Sequence, residues 1–206
     1  MLKTGFQIVN ELSQKYKSPK NRLMLMEKKG IYHKVVKGLY ETELSVNPLL
    51  LASAIYGPSY VSFESALSFW NLIPEKVMAV TSATFNKNKT KRFETDFGLF
   101  LYRDVPESAF PFEVYIREDE GRNFLIAGKE KSLCDILYRE VPLHSEKRLC
   151  EYLFENLRIE QSDFELLNFS LISDLCGMYK STNLKLLQNL VNKRGKNHDN
   201  TCTADD

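Results

Sequence analysis

Between residues 77 and 126, β-prone runs follow one another with turn signals between them, and helical punctuation encloses them on both sides. That order argues against an all-helical bundle and an all-β sandwich, and it predicts an α+β fold. The runs are 77–84, two strands within 92–103 turning near Asp96-Phe97-Gly98, and 112–117 with 123–126. The last two flank the acidic turn Glu118-Asp119-Glu120-Gly121 and read as a hairpin.

Toward the N-terminus, Phe6, Val9, Leu12 and Tyr16, with Ile8 beside them, recur at helical spacing over 5–16. Ser18-Pro19 supplies an N-cap and a proline at the first helical position, and Gly30 a left-handed C-cap, which together bound a second helix over 19–29. Residues 31–42 are β-prone and broken at Lys37-Gly38, again a hairpin. Helix, helix, hairpin is the ending of a winged helix-turn-helix. Three helices usually precede the wing, so the module at 1–45 is read as winged-helix-like and abbreviated.

A larger mixed α/β domain is expected over 46–192. Asn47-Pro48 caps its first helix, Ser62 caps the next, and further helices are expected at 129–139, 145–157, 162–168, 170–177 and 181–192. From 193 to 206 the composition turns polar, with almost nothing to bury, which predicts a disordered tail.

The net charge of +1 conceals an uneven distribution. Residues 1–45 hold nine Lys and Arg against four Glu, so the rest of the chain carries net −4. A basic end on an acidic body suits a nucleic-acid-facing module, and a solvated lysine face suits it equally. Within the module, Lys17, Lys20, Asn21 and Arg22 gather at the start of the second helix, and Lys34 and Lys37 lie on the hairpin. These are the candidate DNA contacts: lysines for phosphates, Asn21 and Arg22 for base edges. A second cluster, Lys87, Lys89, Lys91 and Arg92, sits in the loop between two strands with Asn86 and Asn88 interleaved. Like charges that close repel unless an anion or partner is near, which makes it a candidate partner surface beside the plainer reading of a solubilising loop. Glu94, Thr95, a half-buried Tyr102, and Lys129, Glu130 and Lys131 at a helix start read as structural, with Glu94 pairing a lysine.

Enzyme signatures are missing: the sequence has no Walker glycine loop, GxGxxG, GxSxG or HExxH. His33, His144 and His198 are scattered, and Cys134, Cys150, Cys176 and Cys202 form neither a CxxC pair nor a metal pattern, so reduced core thiols, no metal and no cofactor are expected. No run approaches the ~18 apolar residues of a membrane span, and no signal-peptide core is present; a cytoplasmic location is the default expectation.

Three phrases stand in fixed order: Tyr60-Val61-Ser62-Phe63-Glu64-Ser65-Ala66-Leu67, then Phe93-Glu94-Thr95-Asp96-Phe97-Gly98-Leu99-Phe100-Leu101-Tyr102-Arg103, then Ile126-Ala127-Gly128-Lys129-Glu130-Lys131-Ser132-Leu133-Cys134-Asp135. Together they resemble the antitoxin and autorepressor (AbiEi-type) proteins of bacterial abortive-infection, type IV toxin-antitoxin pairs. The resemblance implies a phage-defence role: a transcriptional regulator whose winged helix binds operator DNA of its own operon. It also implies a larger domain that counteracts a nucleotidyltransferase-like toxin, the toxin being the enzyme of the pair. Direct contact with the toxin stays open, as does the choice between a monomer and a weak dimer. The alternative is a protein-interaction scaffold whose winged helix and basic loop dock partners; a third reading, an enzyme acting on nucleotides or RNA, needs a carboxylate cleft.

Overall fold

The computed structural model describes the backbone of residues 1–202 and the side chains through Gly195. It is a mixed α+β structure. A small three-stranded antiparallel sheet of order β1-β3-β2 is built from β1 (Lys3–Thr4), β2 (His33–Val36) and β3 (Leu39–Glu41), with α1 (Gly5–Ser13) and α2 (Pro19–Lys28) inserted between β1 and β2. A six-stranded mixed sheet of order β6-β7-β5-β4-β9-β8 forms the larger part. Its strands are β4 (Tyr60–Val61), β5 (Ala79–Thr84), β6 (Lys91–Thr95), β7 (Gly98–Asp104), β8 (Val114–Asp119) and β9 (Arg122–Ala127).

Local chemistry explains most boundaries. α1 starts with a reciprocal capping box: the Thr4 hydroxyl accepts from Gln7 N–H at 3.2 Å, and the Gln7 side chain accepts from Thr4 N–H at 2.8 Å. Pro19 opens α2 as expected, although the Ser18 side chain makes no capping bond. α2 ends at Gly30, whose φ of +68° is a backbone state that side chains resist. The β8–β9 hairpin turns through Glu120 and Gly121, both at positive φ, the geometry whose twist matches the flanking strands.

In α1 the buried stripe is Ile8 and Leu12; Phe6 is 82% exposed and Tyr16 also faces solvent, so the helix is rotated from the orientation its apolar spacing suggests. The core shared by α1 and α2 is small: Ile8, Leu12 and Leu23, with Val9, Met26, Tyr32 and Tyr40 around them. β1 adds a third strand to the β2–β3 hairpin, pairing Lys3 with Tyr40 and Thr4 with Leu39. Val35 on the hairpin points instead into the main core.

That main core lies between the large sheet and its helices. A 3-10 turn (Pro48–Leu51), capped by Asn47 as expected, leads into α3 (Ala52–Ile55). α4 (Phe63–Phe69) packs on α5 (Lys129–Arg139), which also meets α8 (Phe169–Cys176) and α9 (Thr182–Cys202). α6 (Glu146–Glu151) runs into a π-helical turn (Tyr152–Asn156), and α7 (Gln161–Glu165) follows. Phe100, Ile126, Leu133 and Leu137 are fully sealed, each stabilising by about 1.5–3 kcal/mol through burial. α9 continues to Cys202, so the tail expected from 193 begins as helix; 203–206 lie outside the described residues. No helix among the described residues is long and apolar enough to cross a membrane.

Candidate nucleic-acid interface

α2 presents Lys20, Asn21, Met24, Leu25 and Lys28 to solvent while Leu23 anchors its inner side. Lys17 is exposed in the turn before it. Arg22 is different: its guanidinium lies 4.7 Å from the Tyr16 ring centroid, and its Nε is buried with no hydrogen-bond partner. The side chain the sequence suggested for base contacts is therefore folded back onto the α1–α2 turn. Met24 (59% exposed), Leu25 (49%) and Lys28 are the members of this face that sequence reasoning missed, although their spacing from Lys20 and Asn21 along the helix carried the signal.

Lys34 and Lys37 are exposed on and just beyond β2. β2 is an end strand of the small sheet and β6 an end strand of the large one, and a cleft of about 980 Å³ opens between them. Residues 34–37 line one wall and 92–96 the other. Consecutive residues on both walls mean that strand edges, not single faces, border the space. Lys34, Lys37 and Arg92, which the sequence assigned to two separate clusters, thus share one cleft; Glu27, Glu94 and Asp96 share it too. Arg92 is already paired with Glu94 at 2.5 Å, so Glu94 meets an arginine rather than the lysine expected.

The rest of the basic loop is fixed by one carboxylate. Asp104 Oδ2 accepts from Lys87 N–H at 2.7 Å and Asn88 N–H at 2.6 Å, while Oδ1 accepts from the Thr84 hydroxyl at 2.6 Å. Asn86 and Asn88 adopt positive φ to make this turn, and Asn86 donates to Glu107. Lys87 lies 5.4 Å over the Tyr56 ring, Lys91 is half-buried, and Lys89 stays exposed. Lys89 borders a second groove of about 480 Å³ opposite Arg139, a cation the sequence did not single out.

The three ordered phrases converge in the interior. Asp135 on α5 accepts four hydrogen bonds: Lys131 (2.5 Å) and Tyr179 (2.6 Å) at Oδ1, Ser62 (2.7 Å) and Tyr60 (3.0 Å) at Oδ2. Lys131 and Asp135 are wholly buried, so Lys131, read as structural at the start of the helix, is part of the interior. Ser62 stands at the N-cap position of α4 as expected, but its hydroxyl makes no capping bond and donates to Asp135 instead. Burial, with the Asp135 charge beside them, pushes the Tyr60 and Tyr179 phenols far above their usual range. Arg103 of the second phrase pairs with Glu64 of the first, and Tyr102, fully buried, donates to the Ala52 carbonyl at 2.7 Å. The Thr95 hydroxyl donates to Gly98 C=O and accepts from Phe97 N–H, holding the β6–β7 turn. Cys134 is fully buried, and a hydrogen bond with Cys176 together with that burial raises its thiol.

His33 packs edge-on against Phe97, far along the chain from exposed His144; His198 has no described side chain. Among the described residues no group of three His, Cys, Asp or Glu side chains could hold a metal ion. No family model matches the chain, and no match is found among curated proteins.

Proposed function

We propose that the chain is an AbiE-like antitoxin that represses its own operon, with the N-terminal winged-helix-like part contacting DNA and the larger part carrying the antitoxin activity. The observation that carries this reading is the exposed face of α2, where two polar donors, two apolar side chains and Lys28 follow helical spacing next to a lysine-bearing hairpin. Such a face suits a major groove: Asn21 can address an adenine edge, Met24 or Leu25 a thymine methyl, and Lys17, Lys20, Lys34 and Lys37 the phosphates. Arg22 serves there as a brace for the helix start. In this reading the nucleotidyltransferase-like toxin, not this chain, is the enzyme, and the surface of the larger part that meets an anionic partner is the loop bearing Lys87 and Lys89 together with Lys91 and Arg92, which stand on β6 rather than in the loop the sequence suggested.

Fluorescence anisotropy on the duplex upstream of the gene, against a scrambled duplex at two salt concentrations, tests it. Preference for the native sequence by at least about a hundredfold fits specific recognition. Equal binding to both duplexes that salt erases would reduce the reading to a basic surface.

One observation favours a second reading, a protein-docking scaffold. The large cleft mixes Glu27, Glu94 and Asp96 with its cations, a balance suited to a polypeptide rather than a polyanion. A neighbouring nucleotidyltransferase-like reading frame supports the antitoxin; its absence favours the scaffold.

A further inference from the structure

The groove of about 480 Å³ beside Lys89 opens at the carboxyl ends of the parallel strands β5 and β7, whose last residues, Thr84 and Asp104, are register partners. Its lining comes from Asn88, Lys89 and Thr90 of the loop, from Asp104, and from Tyr138 and Arg139 in the last turn of α5. Open α/β sheets hold their ligands in such a crevice beyond the strand ends. The polar groups here divide by whether they are already used. Asp104, the one carboxylate of the lining, accepts from Lys87 N–H, Asn88 N–H and the Thr84 hydroxyl. Lys89 and Arg139 pair with no carboxylate among the described residues, and the Asn88 amide and the Thr90 and Tyr138 hydroxyls are likewise free to donate. Two unpaired cations thus face one carboxylate whose lone pairs are taken. Both walls are fixed in advance: Asp104 holds the loop, and the Tyr138 ring packs on Tyr179 with centroids 5.6 Å apart.

We infer that this groove binds a phosphate group, free or at the end of a small ester, with Lys89 and Arg139 reaching its oxygens from opposite walls. A guanidinium presents a planar fork of N–H donors that matches phosphate oxygens, and an ammonium adds a compact charge. A tetrahedral phosphate has oxygens to offer both walls at once, and Asn88, Thr90 and Tyr138 supply further donors around it. The space exceeds what a bare phosphate fills and falls within the range of small-molecule sites, about 300–1,000 Å³, so the organic part of an ester fits beside it. The inference rests on the reading of the loop at Lys87 and Lys89 as an anion-facing surface; it names the chemistry of that anion and adds Arg139, which belongs to neither basic cluster in the sequence.

Isothermal titration calorimetry of the full chain at constant ionic strength, with AMP, inorganic phosphate and adenosine as probes, tests it. AMP is expected to bind, and adenosine, which lacks the phosphate, is not. Tighter binding of AMP than of inorganic phosphate assigns the site to an ester, and equal binding assigns it to the free ion; both support the inference. Lys89→Gln and Arg139→Gln each remove a charge-assisted bond and are each expected to weaken binding at least ~10-fold. Lys76→Gln, exposed ahead of β5 at the opposite end of that strand from Thr84, is expected to change nothing. Thermal melts report whether each variant is folded. A parent that binds neither AMP nor phosphate, adenosine that binds as AMP does, or binding that survives unchanged in the folded Lys89 and Arg139 variants would each overturn the inference. A parent that fails these titrations yet prefers its upstream duplex removes this site alone, whereas one that binds phosphate without any duplex preference removes the autorepressor and leaves the site standing.

Discussion

Lys131 and Asp135 meet across one turn of α5, 2.5 Å between ammonium and carboxylate, with neither side chain touching solvent. The remaining capacity of the carboxylate is filled by Tyr60, Ser62 and Tyr179, which ties β4, α5 and the segment after α8 to a single atom pair. A buried pair of this kind adds little over a well-packed apolar substitute, because desolvation offsets most of the attraction; breaking it is costly.

Asp135→Ala strands a buried ammonium and is expected to cost about 3–5 kcal/mol in denaturant unfolding. The double change Lys131→Met, Asp135→Leu is expected to cost clearly less than Asp135→Ala alone. Costs that simply add would mean that the two groups are not coupled.

Alkaline stability follows from the buried phenols. Tyr60, Tyr102, Tyr152 and Tyr179 all have pKa values raised by burial, so the folded state keeps protons that the unfolded chain releases above pH ~10. The unfolded state then binds fewer protons, and the stability these groups contribute, complete below that pH, falls as pH rises toward the folded values. Each phenol still protonated when folded contributes a loss of about 1.4 kcal/mol per pH unit in that window. Unfolding midpoints measured from neutral to strongly alkaline pH check this; a flat profile would contradict the burial.

Glu41 on β3 is buried between the N-terminal amine and Arg122 on β9, and Asn47 donates to Asp119 at 2.7 Å close by. Burial pulls the Glu41 carboxyl up, but hydrogen bonds from the amine, Arg122 and Thr42 N–H outweigh it and leave the group below its ordinary value. Its contribution is therefore complete above the usual carboxylate range and is lost as pH falls through the folded value. Arg122→Ala is expected to cost about 1–3 kcal/mol at neutral pH and to make the acid limb of the stability profile shallower. An unchanged acid limb would show that Arg122 does not hold the carboxylate.

On DNA, Lys37→Ala is expected to weaken all duplexes alike and to flatten the salt dependence by about one unit. Arg22→Ala is expected to lower the melting temperature as well, since the stack on Tyr16 contributes about 0.5–1 kcal/mol to the α1–α2 turn. A pure affinity loss without a melting shift would return Arg22 to the contact surface.

The three hairpins were legible because their signals are local: Gly38, Gly98 and Gly121 stand at the turns, and β-prone runs flank them; the two-residue strands β1 and β4 were not. α5 was bounded correctly at both ends for the same reason. What eluded the sequence depends on distant partners. Lys131 reads as one more structural residue at a helix start, and nothing local tells that it is sealed against Tyr179, forty-eight residues away. The stripe of α1 shifted from Phe6 to Ile8 because β1 pairs with β3 and sets the helix's rotation, and a two-residue strand carries almost no signal of its own. The basic clusters were each found, but not their shared cleft, since nothing in local order brings β2 beside β6.

The hold of Asp104 on the loop at 86–90 has a thermodynamic corollary. A lysine-rich loop that is slack when free surrenders its freedom on binding, and that loss is subtracted from the affinity. Here the turn is already closed by three hydrogen bonds to a single carboxylate before any partner arrives. Lys87 and Lys89 project from a fixed platform, so an anion that reaches them orders only their own side chains, and contact there resembles a key meeting a cut lock more than a hand closing on an object.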